Sequence, residues 1–218
     1  MEKVKVGVLG SGDVGKVLAG GFLKLGHEVR IGSRSPEKLK EWAAGAGDGA
    51  PIRISTGTFA EAAEFGDIIV LATHGEGTQS AIEMAGAGNF DGKVVIDATN
   101  PLDFSSGGPQ LSIGLNDSLG ERVQRWLPKA RVVKAFNTVG NAHMIDPQFP
   151  GGPPTMFIGG NDADAKKLVT QVCEAWGWEV ADLGGIEVSR YLEPMCMAWV
   201  VYGIRNGSWN HAFKLLKK

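Results

Sequence analysis

The 218-residue chain is poor in cysteine, with two residues of this type, Cys173 and Cys196. Two cysteines do not make the disulfide framework of a small secreted protein, and we interpret both as small buried hydrophobic residues. Cysteine and histidine also form no cluster with the spacing of zinc ligands. The sequence therefore predicts neither a disulfide scaffold nor a metal site.

The chain also lacks a strong excess of charge of either sign and lacks a long apolar run. Its formal net charge is -2 at pH 7, whereas nucleic acids and anionic membranes attract a basic surface. The most apolar late segment, residues 191–204, is too short to span a bilayer and contains Glu193 and Pro194. The first residues show no basic stretch followed by an apolar signal core. We expect a cytoplasmic protein that binds neither nucleic acid nor a membrane.

Glycine, in contrast, is abundant, with 32 residues. Folds with many tight turns, and with close contacts between backbone and ligand, use much glycine. Apolar runs alternate here with segments of helical periodicity. Strands are predicted at Val4–Leu9, Glu28–Ile31, Ile52–Ser55, Asp67–Ala72, Lys93–Ile96, Arg131–Phe136, Thr155–Ile158 and Trp178–Ala181. Helices are predicted at 14–25, Pro36–Ala46, Phe59–Glu64, Gly77–Ala87, Asp117–Leu127 and 165–176, and from Ile186 onward.

This alternation predicts an α/β fold with a doubly wound parallel sheet covered by helices on both faces. Residues 100–114 are rich in glycine, serine and proline and are predicted to form a loop, and such long loops are often functional. Pro194 is expected either to open the C-terminal helix or to kink it. We expect one domain over residues 1–185 and a C-terminal helical extension over residues 186–218 that is not an independent domain.

A glycine-rich loop, Gly10-Ser-Gly-Asp-Val-Gly15, follows the first strand and opens the first helix. Its three glycines match the dinucleotide-binding fingerprint, and the required strand–loop–helix–strand context is present. Gly10 permits the tight turn, Gly12 lets the backbone approach a pyrophosphate, and Gly15 allows close packing of helix on sheet. The alternative is a structural turn, in which the glycines serve geometry alone. The fingerprint spacing favours a dinucleotide site.

The tip of the second strand indicates which dinucleotide is bound. NAD sites place a carboxylate there for the ribose 2′-hydroxyl, but this chain has Gly32-Ser-Arg-Ser-Pro-Glu-Lys38. Ser33, Arg34 and Lys38 would attract a 2′-phosphate, which a carboxylate would repel. The alternative is that the two cations are ordinary solvated surface residues. We interpret residues 1–185 as an NADP-binding Rossmann domain.

Later strands also end in polar residues, and ligands of open α/β sheets bind beyond the carboxyl ends of the strands. Amide donors and an apolar wall suit a nicotinamide ring. Turn chemistry is the alternative for Asn100, which precedes Pro101, and His74 can equally be an ordinary loop histidine. The residues expected around the nicotinamide are Thr73, His74, Thr99, Asn100, Phe136 and Asn137.

Common proton donors of dehydrogenases are missing. The two tyrosines, Tyr191 and Tyr202, are not followed by a lysine four residues later. Lys134 precedes Asn137 by three residues, a spacing similar to that of the hydroxyacid dehydrogenase lysine, but we interpret it as a lysine on a strand face. No catalytic residue is therefore assigned. Hydride transfer between two stacked rings needs position and exclusion of water rather than a general acid.

Five segments in this order resemble the NADPH-dependent coenzyme F-420 reductase family and are similar to the cytosolic domain of STEAP-type metalloreductases. The resemblance covers nearly the whole chain. Thr73-His74 departs from it, because deazaflavin reductases commonly carry a proline at this place. The five segments are Gly10–Gly15, Gly32–Arg34, Asp97–Pro101, Val133–Thr138 and Ile158–Asp162.

The resemblance implies NADP(H), hydride transfer to a deazaflavin or flavin, and a homodimer whose C-terminal helices help to form the acceptor site. By the same resemblance, the loop contacts fall on Ser11, Gly12, Asp13 and Val14, and the 2′-phosphate contacts fall on Ser33, Arg34 and Lys38.

Three functions remain open at this point. The first is an NADP(H)-dependent oxidoreductase with coenzyme F-420, FMN or FAD as acceptor. The others are an NADP-dependent dehydrogenase of a small hydroxy or imino acid, and a non-enzymatic NADPH sensor.

The apolar tail is expected either to form a dimer interface or to pack on its own sheet, and Met195, Trp199 and Tyr202 could cover an acceptor ring. The tail residues that suggest an interface are Met195, Met197, Trp199, Val200 and Ile204.

Overall fold

A computed structural model describes residues 2–46 and 54–218 of the chain. Its strands are β1 (Lys5–Leu9), β2 (Glu28–Gly32), β3 (Ile54–Gly57), β4 (Ile68–Leu71), β5 (Val94–Asp97), β6 (Leu102–Asp103), β7 (Gln110–Leu111), β8 (Arg131–Lys134), β9 (Thr155–Gly160) and β10 (Glu179–Asp182). Its α-helices are α1 (Asp13–Lys24), α2 (Lys40–Gly45), α3 (Phe59–Phe65), α4 (Thr78–Ala85), α5 (Leu119–Trp126), α6 (Ala163–Ala175) and α7 (Ser189–Asn206). Short 3-10 turns lie at Pro36–Leu39, Gly75–Gly77, Ala87–Phe90, Asn141–His143 and Ile186–Val188.

The main sheet, as far as the chain is described, has eight strands in the order β10-β9-β8-β5-β4-β1-β2-β3. The strands from β3 across to β8 all run parallel. The chain moves outward from β1 to β3 and then returns to the other side of β1 to form β4. This is the order of the Rossmann fold, and a ligand cleft is expected where the order reverses, between β1 and β4. The predicted fold class is confirmed.

Two strands differ from the predicted parallel sheet. β9 runs antiparallel to β8, with Val133 opposite Gly160 and Lys134 opposite Gly159, and β10 runs parallel to β9. A parallel neighbour needs a long crossover connection, usually through a helix. The segment that joins β8 to β9 contains the short 3-10 turn at Asn141–His143 instead. The chain therefore returns beside β8 in the opposite direction.

The alternation of side chains along the central strands explains why helices cover both faces. Ile68 and Val70 of β4 belong to a buried cluster that contains residues of α1 and α6. Ile69 and Leu71 of the same strand point the other way, into a second cluster with residues of α3, α4 and α5. Successive side chains of a strand face opposite sides of the sheet. All four residues are buried, which is typical of a strand enclosed between two helix layers.

The C-terminal segment is helical over only part of its predicted length. Pro194 lies inside α7, so it does not open the helix. The helix ends at Asn206, and the residues beyond Gly207 have no helical structure. They run back to the start of β9, where the Thr155 amide donates to the Phe213 carbonyl at 2.9 Å. The expectation of a fully helical tail is therefore wrong beyond Asn206, because the chain makes these contacts instead.

Smaller differences concern boundaries. The third strand lies two residues later than predicted, and the first two residues of the prediction, Ile52 and Arg53, fall outside the described residues. The predicted loop at 100–114 contains the antiparallel ribbon of β6 and β7. Within the described ranges, no helix is long and apolar enough to cross a membrane. The division at residue 185 stays a prediction.

Candidate functional site

A cleft of about 890 Å³ opens at the carboxyl edge of the parallel strands, where the strand order reverses. Cavities of roughly 300–1,000 Å³ are usual for ligand sites. The loops after β1, β2, β4 and β5 form most of its wall, and one residue from the segment after β8 completes it. The lining residues are Gly10–Val14, Lys16, Ser33–Ser35, Lys38, Leu39, Phe59, Ala72–Gly75, Gly77, Ser80, Ala81, Met84, Ala98–Asn100, Leu102 and Asn141.

The glycine loop lies at the bottom of this cleft, and its shape fits a pyrophosphate. Gly10 has a φ of 129°, and a Cβ there would lie 2.3 Å from the Ala72 carbonyl oxygen. A Cβ on Gly15 would lie 2.0 Å from the Gly10 carbonyl oxygen. A Cβ on Gly12, by contrast, would have no described atom within 4 Å. Gly10 and Gly15 are thus required by the fold, while Gly12 leaves space in the cleft.

The N-terminus of α1 borders the same space. Gly12 is the N-cap residue of α1. Because glycine has no side chain, the cap residue does not accept a hydrogen bond from the first backbone amides of the helix. Such amides and the positive end of the helix dipole bind phosphate groups. Gly15 lies behind the loop rather than in the wall of the cleft.

The predicted 2′-phosphate residues lie together at one end of the cleft. Ser33, Arg34 and Lys38 all line it. Ser33 is buried, and its Oγ accepts a hydrogen bond from the Ser35 amide at 3.1 Å. Arg34 and Lys38 are exposed, one directly after β2 and the other in the 3-10 turn that follows. Two cations and a hydroxyl therefore border the same pocket end.

The other end of the cleft is formed by the tips of β4 and β5. Thr73 and exposed His74 follow β4, and the Thr73 Oγ1 lies 2.9 Å from the Thr78 Oγ1. Asn100 follows β5 and lines the cleft, and its Nδ2 donates to the Asn137 carbonyl at 2.9 Å.

Asn137 lies behind Asn100 instead of in the wall of the cleft. It is 2% exposed, and its Nδ2 donates to the Asn100 Oδ1 at 3.0 Å and to the Leu192 carbonyl at 2.9 Å. The Asn137 side chain thus supports Asn100 from inside the protein. Asn137 and Gly15 are cofactor residues of the sequence prediction that do not border the cleft. Phe136, also expected beside the nicotinamide, does not border it either, because its ring is 1% exposed and packs in the hydrophobic core.

Several lining residues were not predicted from the sequence. Lys16 lies three residues after Asp13 on α1, and that spacing puts both on one face of a helix. The Lys16 contact could have been found by this argument. Asn141 and Leu102 reach the cleft from the segment after β8 and from the β6–β7 ribbon. Their positions depend on chain reversals for which the sequence has no periodic pattern.

Lys134 lies at the end of β8, as the sequence predicted, and it is completely buried. Its Nζ lies 2.8 Å from the Asp97 Oδ2 and 2.9 Å from the Glu193 Oε1, and it donates to the Thr99 carbonyl at 2.8 Å. Burial alone would lower the pKa of Lys134, but the two carboxylates raise it above its ordinary value. The ammonium therefore stays charged and has three acceptors.

Neither the cysteines nor the possible metal-ligating side chains of the described residues form a second reactive site. Cys173 and Cys196 are both buried free thiols, and burial raises the pKa of Cys196 to about 12. A thiol with such a pKa is not a nucleophile near neutral pH. Across residues 2–46 and 54–218, no group of three or more histidine, cysteine, aspartate or glutamate side chains could hold a metal ion.

The strand order, the glycine loop and the cleft define a Rossmann-type dinucleotide-binding protein. A family model described as "NADP oxidoreductase coenzyme F420-dependent" matches residues 5–101. The chain is 32% identical over 97% of its length to an F420-dependent NADP reductase of Methanothermobacter marburgensis, of which it covers 98%. A solved structure of a candidate F420-dependent NADP reductase from Arthrobacter sp. FB24 matches with a TM-score of 0.92 and 38% identity, covering 98% of this chain and 100% of the other.

The metalloreductase STEAP3 of Rattus norvegicus is 28% identical over 89% of this chain, which spans 36% of that longer protein. The chain therefore belongs to the coenzyme F420-dependent NADP oxidoreductase family, as the sequence resemblance implied. It is an NADP-dependent oxidoreductase.

Gly12→Val should weaken NADPH binding without unfolding the protein. The new methyl groups would enter the space that a pyrophosphate needs, and overpacking costs roughly 1–3 kcal/mol, which is about 5- to 150-fold in affinity. Gly20→Val is the matched control, since a Cβ on Gly20 of the same helix also has no described atom within 4 Å. Fluorescence titration with NADPH and thermal melting compare the two variants. Unchanged NADPH affinity in folded Gly12→Val would remove the loop from the site.

Proposed function

We propose that this oxidoreductase transfers hydride between NADP(H) and a deazaflavin acceptor of the coenzyme F-420 type. The observation that carries the proposal is one continuous cleft with a glycine-rich loop in its floor, cations at one end and polar strand tips at the other. The nicotinamide would supply or accept the hydride. Relatives that match over most of their length are F420-dependent NADP reductases, which supports the same acceptor class.

The chain's own residues would hold the nucleotide in two places. Backbone amides of the loop and of the first turn of α1 would bind the pyrophosphate. Arg34 and Lys38 would neutralise the 2′-phosphate, and the Ser33 hydroxyl would add a hydrogen bond. The loop residues assigned to the cofactor are Gly10, Ser11, Gly12, Asp13, Val14 and Gly15, with Gly15 acting through helix packing.

The nicotinamide end would be bordered by Thr73, His74 and Asn100, with Asn137 holding Asn100 in place. These groups can orient the edge of the nicotinamide ring by hydrogen bonds. A general acid is not required when hydride passes between two flat rings, because position and exclusion of water then suffice. His74 is therefore assigned a contact and not a proton transfer.

We propose a covering of the acceptor that differs from the sequence hypothesis in the role of Trp199. Trp199 is buried inside the subunit, where its ring stacks on His211 with centroids 4.7 Å apart. Its indole is thus used in packing the C-terminal segment. Leu102 of the β6–β7 ribbon lines the cleft, and we assign the apolar contact with an acceptor ring to this ribbon.

A dehydrogenase of a small hydroxy or imino acid is less well supported, because it needs an acid or base at the substrate. Lys134, the lysine that such a reading would use, is fully buried and engaged by two carboxylates and a carbonyl. It therefore has no access to a substrate in the cleft.

The acceptor class is tested by anaerobic oxidation of NADPH with coenzyme F-420, FMN and FAD in turn. Turnover should be fastest with the deazaflavin, at the roughly 1–10³ per second usual for enzymes. His74→Ala should reduce turnover far less than the roughly 10²–10⁴-fold that loss of a general acid or base causes. Failure of all three acceptors beside rapid reduction of a small carbonyl or imine would establish the dehydrogenase. NADPH binding with no turnover of any of these would indicate a sensor.

Arg34→Ala should weaken NADPH binding by about 1.5–3 kcal/mol, the value of a hydrogen bond to a charged group. NADH binding should change little, because NADH has no 2′-phosphate. Lys40→Ala is the matched control, since Lys40 is an exposed cation just beyond Lys38 that is not among the residues lining the cleft. Calorimetry with both nucleotides measures the difference. Equal losses for NADPH and NADH would contradict the assignment of Arg34.

We also propose a homodimer that uses the outer face of α7. Tyr191 and Tyr202 are 68% and 55% exposed and lie on one face of this helix, and exposed apolar side chains that share a face are typical of protein interfaces. Trp199 and Val200, which the sequence hypothesis included in the interface, are instead buried within the subunit. Light scattering should give twice the mass of one chain at micromolar concentration. A monomer at that concentration would contradict the dimer.

A further inference from the structure

A buried cluster of charges connects the C-terminal helix to the nicotinamide end of the cleft. Lys134 stands at its centre, between Asp97 at the end of β5 and Glu193 on α7. The side chains of these three residues are at most 2% exposed. Buried charges are costly unless each has its partners. The cluster therefore keeps its geometry only while all three groups stay together.

On the side of the cleft, the cluster fixes the turn that carries Asn100. The Asp97 Oδ1 accepts hydrogen bonds from the Thr99 amide at 2.9 Å and from the Thr99 Oγ1 at 2.6 Å. Lys134 donates to the Thr99 carbonyl at 2.8 Å. The amide, hydroxyl and carbonyl of Thr99 are thus all held by the cluster. Thr99 and the next residue, Asn100, both line the cleft.

On the opposite side, the cluster is held by two helices. The Glu193 carboxylate accepts hydrogen bonds from the Leu119 and Gly120 amides at the start of α5, at 3.0 and 2.9 Å. A Cβ on Gly120 would lie 2.3 Å from the Ser189 Oγ, so glycine lets α5 approach α7 this closely. The Glu193 carboxylate is therefore fixed from both sides.

A second connection runs parallel to the first. The carbonyl of Leu192, the residue before Glu193, accepts from the Asn137 Nδ2 at 2.9 Å. Asn137 in turn donates to the Asn100 Oδ1 at 3.0 Å. Two adjacent residues of α7 thus reach the same turn by separate hydrogen-bond paths. Neither Leu192 nor Glu193 is among the residues that line the cleft.

We propose that Glu193 is a positioning residue for hydride transfer, which acts through Lys134 to fix the Thr99–Asn100 turn and thereby the orientation of the nicotinamide ring. The inference rests on the proposed function, since it assigns the nicotinamide to this end of the cleft. Supporting groups of this kind hold reacting groups to within fractions of an ångström. A misplacement of 1 Å can lower a rate by about 10²-fold.

The test compares Glu193→Gln with Glu121→Gln. Glu121 also lies at the contact of α5 with α7, where it pairs with Arg190 at 2.6 Å, but it does not belong to the Lys134 cluster. Three quantities are measured: the Kd of NADPH, the orientation of the nicotinamide in bound NADP⁺, and the single-turnover rate of hydride transfer to the deazaflavin. Transferred nuclear Overhauser effects between the ring protons and the ribose H1′ give the orientation and need no acceptor.

In the wild type and in Glu121→Gln, one ring orientation should dominate, and the hydride-transfer rates should agree. In Glu193→Gln, both orientations should be populated and the rate should fall by about 10–10²-fold. The Kd of NADPH should stay nearly unchanged, because the phosphate-binding residues are distant in the cleft. Glu193→Asp, which keeps the charge but shortens the side chain, should give intermediate values. If Glu193→Gln does not fold, the same three measurements are made on Glu193→Asp instead.

A single ring orientation with the wild-type rate in a folded Glu193 variant would overturn the proposal. Equal losses in Glu121→Gln and Glu193→Gln would also overturn it, since they would mean that the helix contact is merely structural. If the wild type reduces no offered acceptor, the proposed function fails, while the ring orientation still decides the role of Glu193.

Discussion

The charge of Lys134 lies in the interior, and much of the architecture is arranged around it. The strand that carries it ends between Asp97 and the helix that carries Glu193, so β5, β8 and α7 meet at one ammonium group. The start of α5 joins through its amides. Loss of one member of a buried ion pair leaves an uncompensated charge and typically destabilises a protein by about 3–5 kcal/mol. The arrangement thus constrains which elements can move independently.

The antiparallel direction of β9 helps to bring the C-terminal helix to Lys134. Because the chain turns back after β8, α6 and β10 form an outer edge, and the 3-10 turn at Ile186–Val188 can pack against β8, β9 and α5. The long helix α7 then starts beside the buried lysine. A parallel continuation would have required a long crossover connection between β8 and β9, usually a helix. The nucleotide-binding strands and the C-terminal helix are therefore parts of one interior.

Local and periodic features of the fold could be predicted from the sequence. The glycine loop, the alternation of strands and helices, and the basic tip of β2 each depend on residues that are close together in the sequence. The pairing of Lys134 with Glu193 joins residues far apart in the chain, and no periodicity marks it. The role of Asn137 was missed for the same reason. Its residue type suggested a contact with the ligand, but the fold places it behind Asn100. From the sequence, Trp199 could either contact a ligand or partner or pack inside the subunit. In the structure its ring stacks on His211, which lies beyond the end of the helix, so Trp199 packs inside the subunit.

Glu193 follows β1 to β8 in the chain, and this order has a consequence for biosynthesis. Domains generally fold from the N-terminus as synthesis proceeds, and here β1 to β8 leave the ribosome before α7 exists. During that interval Lys134 has Asp97 beside it but not Glu193, and the first amides of α5 have not met their carboxylate. Until α7 is made, Lys134 and the first amides of α5 therefore lack one of their partners. Completion of this interior therefore waits for α7, which is translated after the strands that form the cleft.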